Sequence, residues 1–269
     1  MKIGIVSLGL IGGSLFKKLC KTEHEIYAVT RNEETIKKAK KYSVNVSSNY
    51  EILKACQIVF VATPINKTLE VLDILENVLP NDCIVLDCAS VKEFVMQKER
   101  PYKFIGSHPM AGTENSGFDA SFEELFEGAK WVLTPSETTK EEDIELVEDV
   151  ICLTGADVII ADAKKHDEAV ALISHMPLLL AQALFNSAKD NKLALKLASS
   201  GFRDMTRLAM SNLEMAKDMR SYNAENIVLA LEKLASSINF LKNTKDKEIF
   251  DDIKSIRKSM YSKEGKNTF

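Results

Sequence analysis

Three stretches of the chain carry residue types that do chemistry, at spacings that a scaffold does not need. The first is "IGSHPMAGTENSGFDAS", Ile105 to Ser121, where His108 ends an apolar run and a long polar, glycine-punctuated loop follows. An imidazole titrates near neutral pH, so a histidine there can take a proton from a hydroxyl while hydride leaves the same carbon. The alternative is a structural histidine that caps the loop. The second, "DCASVK", Asp87 to Lys92, also leaves an apolar run, and its Ser90 could hold the His108 ring in the useful tautomer. The third, "SSGFRDMTRLAMSN", Ser199 to Asn212, sets a glycine, two arginines and an aspartate inside a helical pattern, which reads as a break that aims charge into a cleft. The forked guanidinium of Arg203 or Arg207 suits a substrate carboxylate, and an ion pair with Asp204 or Glu114 is the alternative. His24 reads as a surface residue. His175, in "KKHDEAVALISHMP", reads as a satisfied core histidine or as a substrate contact.

A nucleotide signature opens the chain. "KIGIVSLGLIGGSLF", Lys2 to Phe16, is close to G-x-G-x-x-G between a buried strand and a helix, but Ser7 holds the first glycine position. Gly9 lets the backbone approach a pyrophosphate and Gly12 lets the helix pack on the strand; Leu10 and Ile11 lie between them, and the helix N-terminus points at the phosphates. A small residue fits at Ser7 provided that its φ stays negative, and that is the expectation. At the end of the second strand, where NAD-binding chains carry an acidic residue, this chain has Thr30, Arg31 and Asn32. No carboxylate repels a 2'-phosphate there and a guanidinium is at hand, so NADP is favoured over NAD; otherwise Arg31 is a solvated charge and either cofactor binds. Thr63 is a further candidate beside the cofactor.

These residues need a sheet edge to stand on. Apolar runs predict strands at Lys2–Ser7, Glu25–Thr30, Ile58–Ala62, Cys83–Asp87, Lys103–Ser107, Lys130–Thr134 and Asp157–Ile160, alternating with helices, which is the rhythm of a doubly wound, Rossmann-type parallel α/β sheet. Asn32 before Glu33 and Glu34, and Thr139 before Glu141 and Glu142, mark helix starts. From His166 to Tyr261 the pattern is helical throughout, so the chain divides into a dinucleotide-binding domain, 1–163, and an all-helical domain for substrate and dimerisation, 164–269. Stretches such as "ALISHMPLLLAQALF" are apolar on more than one face, and a partner subunit is the simplest cover.

Composition narrows the function classes. The chain has 269 residues, 45% of them hydrophobic, and 35 basic against 39 acidic side chains for a net charge of −4. No basic cluster tracks a phosphate backbone, so nucleic acid is excluded as a partner. No apolar run is expected to span a membrane, and Met1 leads straight into the first strand without a signal segment, which places the protein in the cytoplasm. Five scattered cysteines lack a C-x-x-C pair and read as reduced thiols, with no zinc site.

Taken together, "GLIGGS", "ASVK", "SHPMAGTE", "HDEAVALISHMP" and "GFRDMTR", in this order over almost the whole chain, resemble the prephenate and arogenate dehydrogenase family of tyrosine biosynthesis. The resemblance implies oxidative decarboxylation: hydride passes from the hydroxyl-bearing ring carbon to a nicotinamide, the ring carboxylate leaves as CO2, and the ring becomes aromatic. It implies that His108 relieves the ring hydroxyl of its proton, that Ser90 orients His108, that Arg207 binds a substrate carboxylate, and that His175 positions the other end of the substrate. It further implies that Asp204, Thr113 and Glu114 shape or gate the pocket, that no metal is required, and that the helical domain joins two protomers. Ser7 departs from the family's glycine, and the Thr30–Arg31 pair resembles NADP-using members. The chain is expected to carry neither a fused mutase nor an added regulatory module. A dehydrogenase of small hydroxy acids and a non-catalytic nicotinamide-binding protein are the competing readings.

Overall fold

Aliphatic and β-branched runs that are apolar on both faces form the inner strands of a sheet covered on both sides. The structure is a computed structural model and describes residues 1–113, 115–211 and 213–261. The strands are β1 (Lys2–Val6), β2 (Glu25–Val29), β3 (Val46–Ser47), β4 (Ile58–Val61), β5 (Ile84–Asp87), β6 (Lys103–Pro109), β7 (Lys130–Thr134) and β8 (Asp157–Ile160). They lie in the order β3-β2-β1-β4-β5-β6-β7-β8. Neighbours on β4 show the two-sided burial: Ile58 and Phe60 join one core cluster, Val59 and Val61 the other. The first cluster is covered by Leu15, Phe16 and Leu19 of α1 (Leu10–Leu19) and by Val147, Val150 and Ile151 of α4 (Glu141–Cys152). The second is covered by Val71, Leu72 and Leu75 of α3 (Ile65–Leu75). Asn32 caps α2 (Glu33–Ala39), accepting from Thr35 N at 2.9 Å.

The sheet departs from the all-parallel expectation at one edge. β6 and β7 pair antiparallel, with His108 opposite Val132, and β8 pairs parallel to β7, so the last two strands run against the first six. The physical reason is the connection: among the described residues of 110–129 none is helical, and a parallel return needs a crossover that is usually helical. β3, only two residues long, is also absent from the predicted set.

Beyond β8 the described chain is helical: α5 (Ala163–Val170), a π-turn (Ala171–His175), α6 (Met176–Ala188), α7 (Lys192–Leu197), α8 (Ser200–Thr206), a 3-10 turn (Arg207–Met210), α9 (Leu213–Tyr222), α10 (Ala224–Asn243) and α11 (Lys247–Met260). Met1–Ile227 forms one compact unit and a second begins at Val228. The π-turn has a local cause: Pro177 supplies no N–H, and Met176 N donates instead to Ala171 O. The continuous helical stretch Ala163–Ala188 is long and apolar enough to cross a membrane by length and composition alone, a test that a helix of a soluble protein also passes. Its interspersed His, Gln and Asn residues hide that average from a reading by apolar runs. Its first turns are bonded into the sheet unit through His166 and Asp167.

Ser7 overturns the expectation of negative φ: its φ is +72°, the left-handed region, while its N–H donates to Val29 O at 2.8 Å. The tight turn needs that conformation whichever residue occupies it, and an L side chain there costs about 1–2 kcal/mol. Ser7→Gly is therefore expected to raise stability by about 1 kcal/mol, read as a higher urea midpoint at unchanged slope; a lower midpoint would show that the serine side chain stabilises the turn.

Candidate active site

At the point where the strand order reverses, β1 and β4 are paired and the helices that follow them, α1 and α3, cover opposite faces of the sheet, which leaves between their turns the crevice in which such sheets bind nucleotides. A Cβ on Gly9 would meet nothing within 4 Å, so the backbone there is open to close approach. A Cβ on Gly12 would stand 2.0 Å from Ser7 O and 2.9 Å from the Ala62 Cβ, so only glycine lets α1 sit this close to the strand. The α1 N-terminus carries no side-chain cap and no acidic residue in its first turn. These features fit a pyrophosphate, with the turn from Ser7 through Leu10, Ile11 and Gly12 as its cradle. Beside them a 290 Å³ cavity is lined by Ser7, Thr30, Arg31, Asn32, Tyr50 and Thr63, among others. Thr63 Oγ1 lies 3.2 Å from Thr68 Oγ1, at the start of α3. Arg31 pairs with Glu70 at 3.7 Å, and Lys67 pairs with the same carboxylate at 3.2 Å. Lys67 and Glu70, unremarked in the sequence, thus line this cavity together with Arg31. Their i,i+3 spacing on an exposed helix face reads as an ordinary surface pair.

His108 stands at the end of β6, half-buried, and its Nδ1 lies 2.9 Å from Nε2 of His166. His166 Nδ1 lies in turn 2.7 Å from Asp167 Oδ1. That carboxylate also accepts from Lys92 N at 2.8 Å and from Glu93 N at 2.9 Å, so the turn after β5 and the start of α5 are fastened together. Beneath His108 lies a fully buried ion pair: Lys92 Nζ donates to Asp87 Oδ2 and to Ser107 O, and both side chains have zero exposure. Asp87 further accepts from Ala89 N at 2.8 Å and from Ser107 N at 3.0 Å. The end of β5 therefore sets the height of the end of β6, and with it the ring of His108.

Burial pushes the pKa of His108 well below the ordinary 6.5, and the neighbouring His166, Lys92 and His175 push it the same way. The imidazole is neutral at working pH and ready to take a proton. His175, at the end of the π-turn, is 1% exposed and held low at about 4, chiefly by burial, with Asp167 acting in the opposite direction. Asn223 Nδ2 lies 3.1 Å from its Nδ1, and its Nε2 is buried without a partner.

The other expected residues fall in several places. Ser90 is half-buried in the turn after β5 and makes no hydrogen bond to His108 in this structure; the side chain in contact with the ring is His166, which packing brings in from 58 positions away. Arg203 and Asp204 pair with each other at 3.1 Å on the exposed side of α8. Arg207 is exposed where α8 gives way to the 3-10 turn, the break expected in that stretch. Thr113 Oγ1 accepts from Asn115 N at 3.2 Å, and Glu114 lies outside the described residues. The loop behind them is tied to α1, because Lys17 Nζ donates to Ser121 O at 2.6 Å and Phe122 N donates to Ser14 Oγ at 3.1 Å. His166 and Asp167 are the functional candidates that sequence reading passed over. Their adjacency at a helix start was the available signal.

Two family models match the chain in succession. Residues 13–160 match the family model "Prephenate dehydrogenase, nucleotide-binding domain", and residues 162–258 match "Prephenate dehydrogenase, dimerization domain". A prephenate dehydrogenase of Lactococcus lactis is 33% identical over 282 residues, spanning 96% of this chain and 77% of that protein. Among solved structures, the arogenate dehydrogenase of Synechocystis superposes with a TM-score of 0.82 at 33% identity over 97% of both chains. The prephenate dehydrogenase from A. aeolicus, in complex with hydroxyphenyl propionate and NAD+, has a TM-score of 0.82 at 29% identity over 96% of both. With a dinucleotide turn at the switch point and family matches over residues 13–160 and 162–258, the chain belongs to the prephenate dehydrogenase family, the NAD(P)-dependent dehydrogenases of tyrosine biosynthesis.

Proposed function

We propose that the protein is a prephenate dehydrogenase that prefers NADP and converts prephenate to 4-hydroxyphenylpyruvate by oxidative decarboxylation. The observation that carries the reading is the neutral, backed imidazole of His108 at the carboxyl end of β6, on the sheet edge that also bears the dinucleotide turn. His108 holds the ring hydroxyl through Nε2, the nitrogen that His166 does not engage, and receives its proton there. The nicotinamide, when bound, accepts the hydride. Arg207 binds a substrate carboxylate with its exposed guanidinium, and His175 offers its unpartnered Nε2 to the other end of the substrate. Ser90 orients the substrate hydroxyl beside His108, Thr113 lines the approach, and Asp204 shapes its rim. Loss of CO2 leaves an aromatic ring, so orientation and electrostatic fit are the main demands on the protein. The test is stoichiometry: CO2 and reduced nicotinamide should form one for one from prephenate, whereas reduction without CO2 would mean plain oxidation of a hydroxy acid.

NADP preference rests on Arg31 and Lys67, whose shared partner Glu70 would exchange with a 2'-phosphate. A charge-assisted pair is worth about 1.5–3 kcal/mol, so Arg31→Ala should raise KM for NADP about 10- to 100-fold and KM for NAD little. Equal effects on the two would remove Arg31 from the phosphate site.

The functional domains are 1–163 and 164–269, and the latter joins two protomers. Exposed apolar side chains support this in each compact unit: Ile173, Phe185, Leu197 and Met210 in the first, Leu229, Phe240, Phe250 and Ile253 in the second. A solution mass near twice 30.0 kDa is expected, and a monomer at all concentrations would refute the dimer. All five cysteines are free, which suits the cytoplasm.

A further inference from the structure

The chain of bonds behind His108 has a direction, and it follows from counting donors. Asp167 accepts two backbone N–H bonds, from Lys92 to Oδ1 and from Glu93 to Oδ2, and an ionised carboxylate has nothing to donate. His166 Nδ1, 2.7 Å from Oδ1, must therefore carry a hydrogen. A neutral imidazole with its hydrogen on Nδ1 has a lone pair on Nε2, so across the 2.9 Å contact the hydrogen belongs to Nδ1 of His108. His108 Nε2 is then left with its lone pair.

We propose that His166, backed by Asp167, is a positioning residue that holds His108 as the Nδ1–H tautomer, so that Nε2 is the atom that accepts the substrate proton. The proposal rests on the reading of His108 as proton acceptor and adds what makes it one. In the step itself, the hydroxyl O–H bond breaks as an Nε2–H bond forms. The C–H bond of the same carbon breaks with its electron pair leaving as the hydride that a bound nicotinamide would accept, and C–O double-bond character develops there. The C–C bond to the carboxylate then gives its electron pair to the ring as CO2 leaves, and the phenolate oxygen recovers the proton from Nε2, so that no proton crosses to His166. As His108 becomes an imidazolium, its Nδ1–H bond to His166 becomes charge-assisted and strengthens, which favours the charge that develops. Without His166 the ring is free to carry its hydrogen on Nε2, the wrong nitrogen. The other groups facing the pair are the Lys92 ammonium, which Asp87 neutralises, and the buried neutral ring of His175, which is bonded to Asn223 and not to His108. His166 and Asp167 are 3% and 1% exposed, so solvent does not substitute for either.

Two measurements test this together. Ring-nitrogen NMR of 15N-histidine-labelled protein at pH 7 should show His108 with Nδ1 protonated and Nε2 unprotonated; the reverse would overturn the proposal with no reference to activity. Steady-state kinetics should show kcat falling at least about tenfold in His166→Phe, toward the 10²- to 10⁴-fold that a positioned base contributes, with the dissociation constant for the cofactor unchanged. His166→Gln, whose Oε1 can accept from Nδ1–H, should recover most of the loss. A His166→Phe enzyme within twofold of wild type, or a His166→Gln enzyme as impaired as His166→Phe, would mean that His166 is only packing. If His166→Phe fails to fold, the NMR of the wild type decides. Retained turnover in His108→Asn would refute the acceptor itself, whereas an inactive His108→Asn with Nε2 protonated in the wild type would refute only the role given to His166.

Discussion

His108→Asn is expected to lower kcat by about 10²- to 10⁴-fold while leaving the dissociation constants for cofactor and substrate within a few-fold of wild type. Asparagine can place its amide nitrogen near the position of Nδ1, so the bond toward His166 has a replacement and the fold has no reason to open. What it lacks is a nitrogen at Nε2 that can be protonated. The pH profile gives the same prediction a second face. A base works above its own pKa, and burial beside His166, Lys92 and His175 holds that of His108 well below 6.5. The acid limb of kcat/KM in the wild type should therefore lie below pH 6.5, and turnover should be undiminished at that pH. An acid limb at or above 6.5 would assign it to a more solvated group, and unchanged turnover in the variant would end the role of His108.

Asp87→Asn has the largest expected effect on stability. The substitution leaves the Lys92 ammonium uncompensated at zero exposure, and breaking one side of a buried pair costs about 3–5 kcal/mol. For a domain of this size that lowers Tm by roughly 10 °C. The sharper expectation concerns the double variant Asp87→Asn, Lys92→Met. It removes the stranded charge and keeps the Asn oxygen as acceptor for Ser107 N, so it should be more stable than Asp87→Asn alone. Additive losses would mean that the two side chains act independently of their charges. Because Ser107 precedes His108, Asp87→Asn should also displace the ring and reduce kcat in the fraction that stays folded.

The parts of this molecule that could be read along the chain are those set by local chemistry. Gly9 and Gly12 sit where the turn needs them, one facing open space and the other wedged against Ser7 O. The apolar runs of the inner strands, the Asn32 cap and the break at Arg207 are likewise local. What could not be read was decided at a distance. An apolar run such as "KWVLT" carries no direction, and it is the connection before it, with no helix among its described residues, that makes β7 antiparallel. Ser7 is driven to positive φ by a turn whose shape is set by α1 and the strand, against the preference of the residue itself. Lys92 looks like any surface lysine until Asp87 and Ser107 close around it. The partner of His108 was sought nearby in Ser90, whereas the fold supplies His166 from the first helix beyond the sheet. Spacing along a chain does not reveal such contacts.

The central claim is that this site oxidises prephenate with NADP. It is tested most directly by initial rates of reduced-nicotinamide formation, with prephenate or arogenate offered to the purified protein, each with NADP or NAD. The predicted result is fastest turnover with prephenate and NADP, and a lower kcat/KM when NAD replaces NADP. Turnover of arogenate with prephenate inert would contradict the substrate assignment, and folded protein silent in all four combinations would return the site to a hydroxy-acid dehydrogenase or a nicotinamide-binding protein.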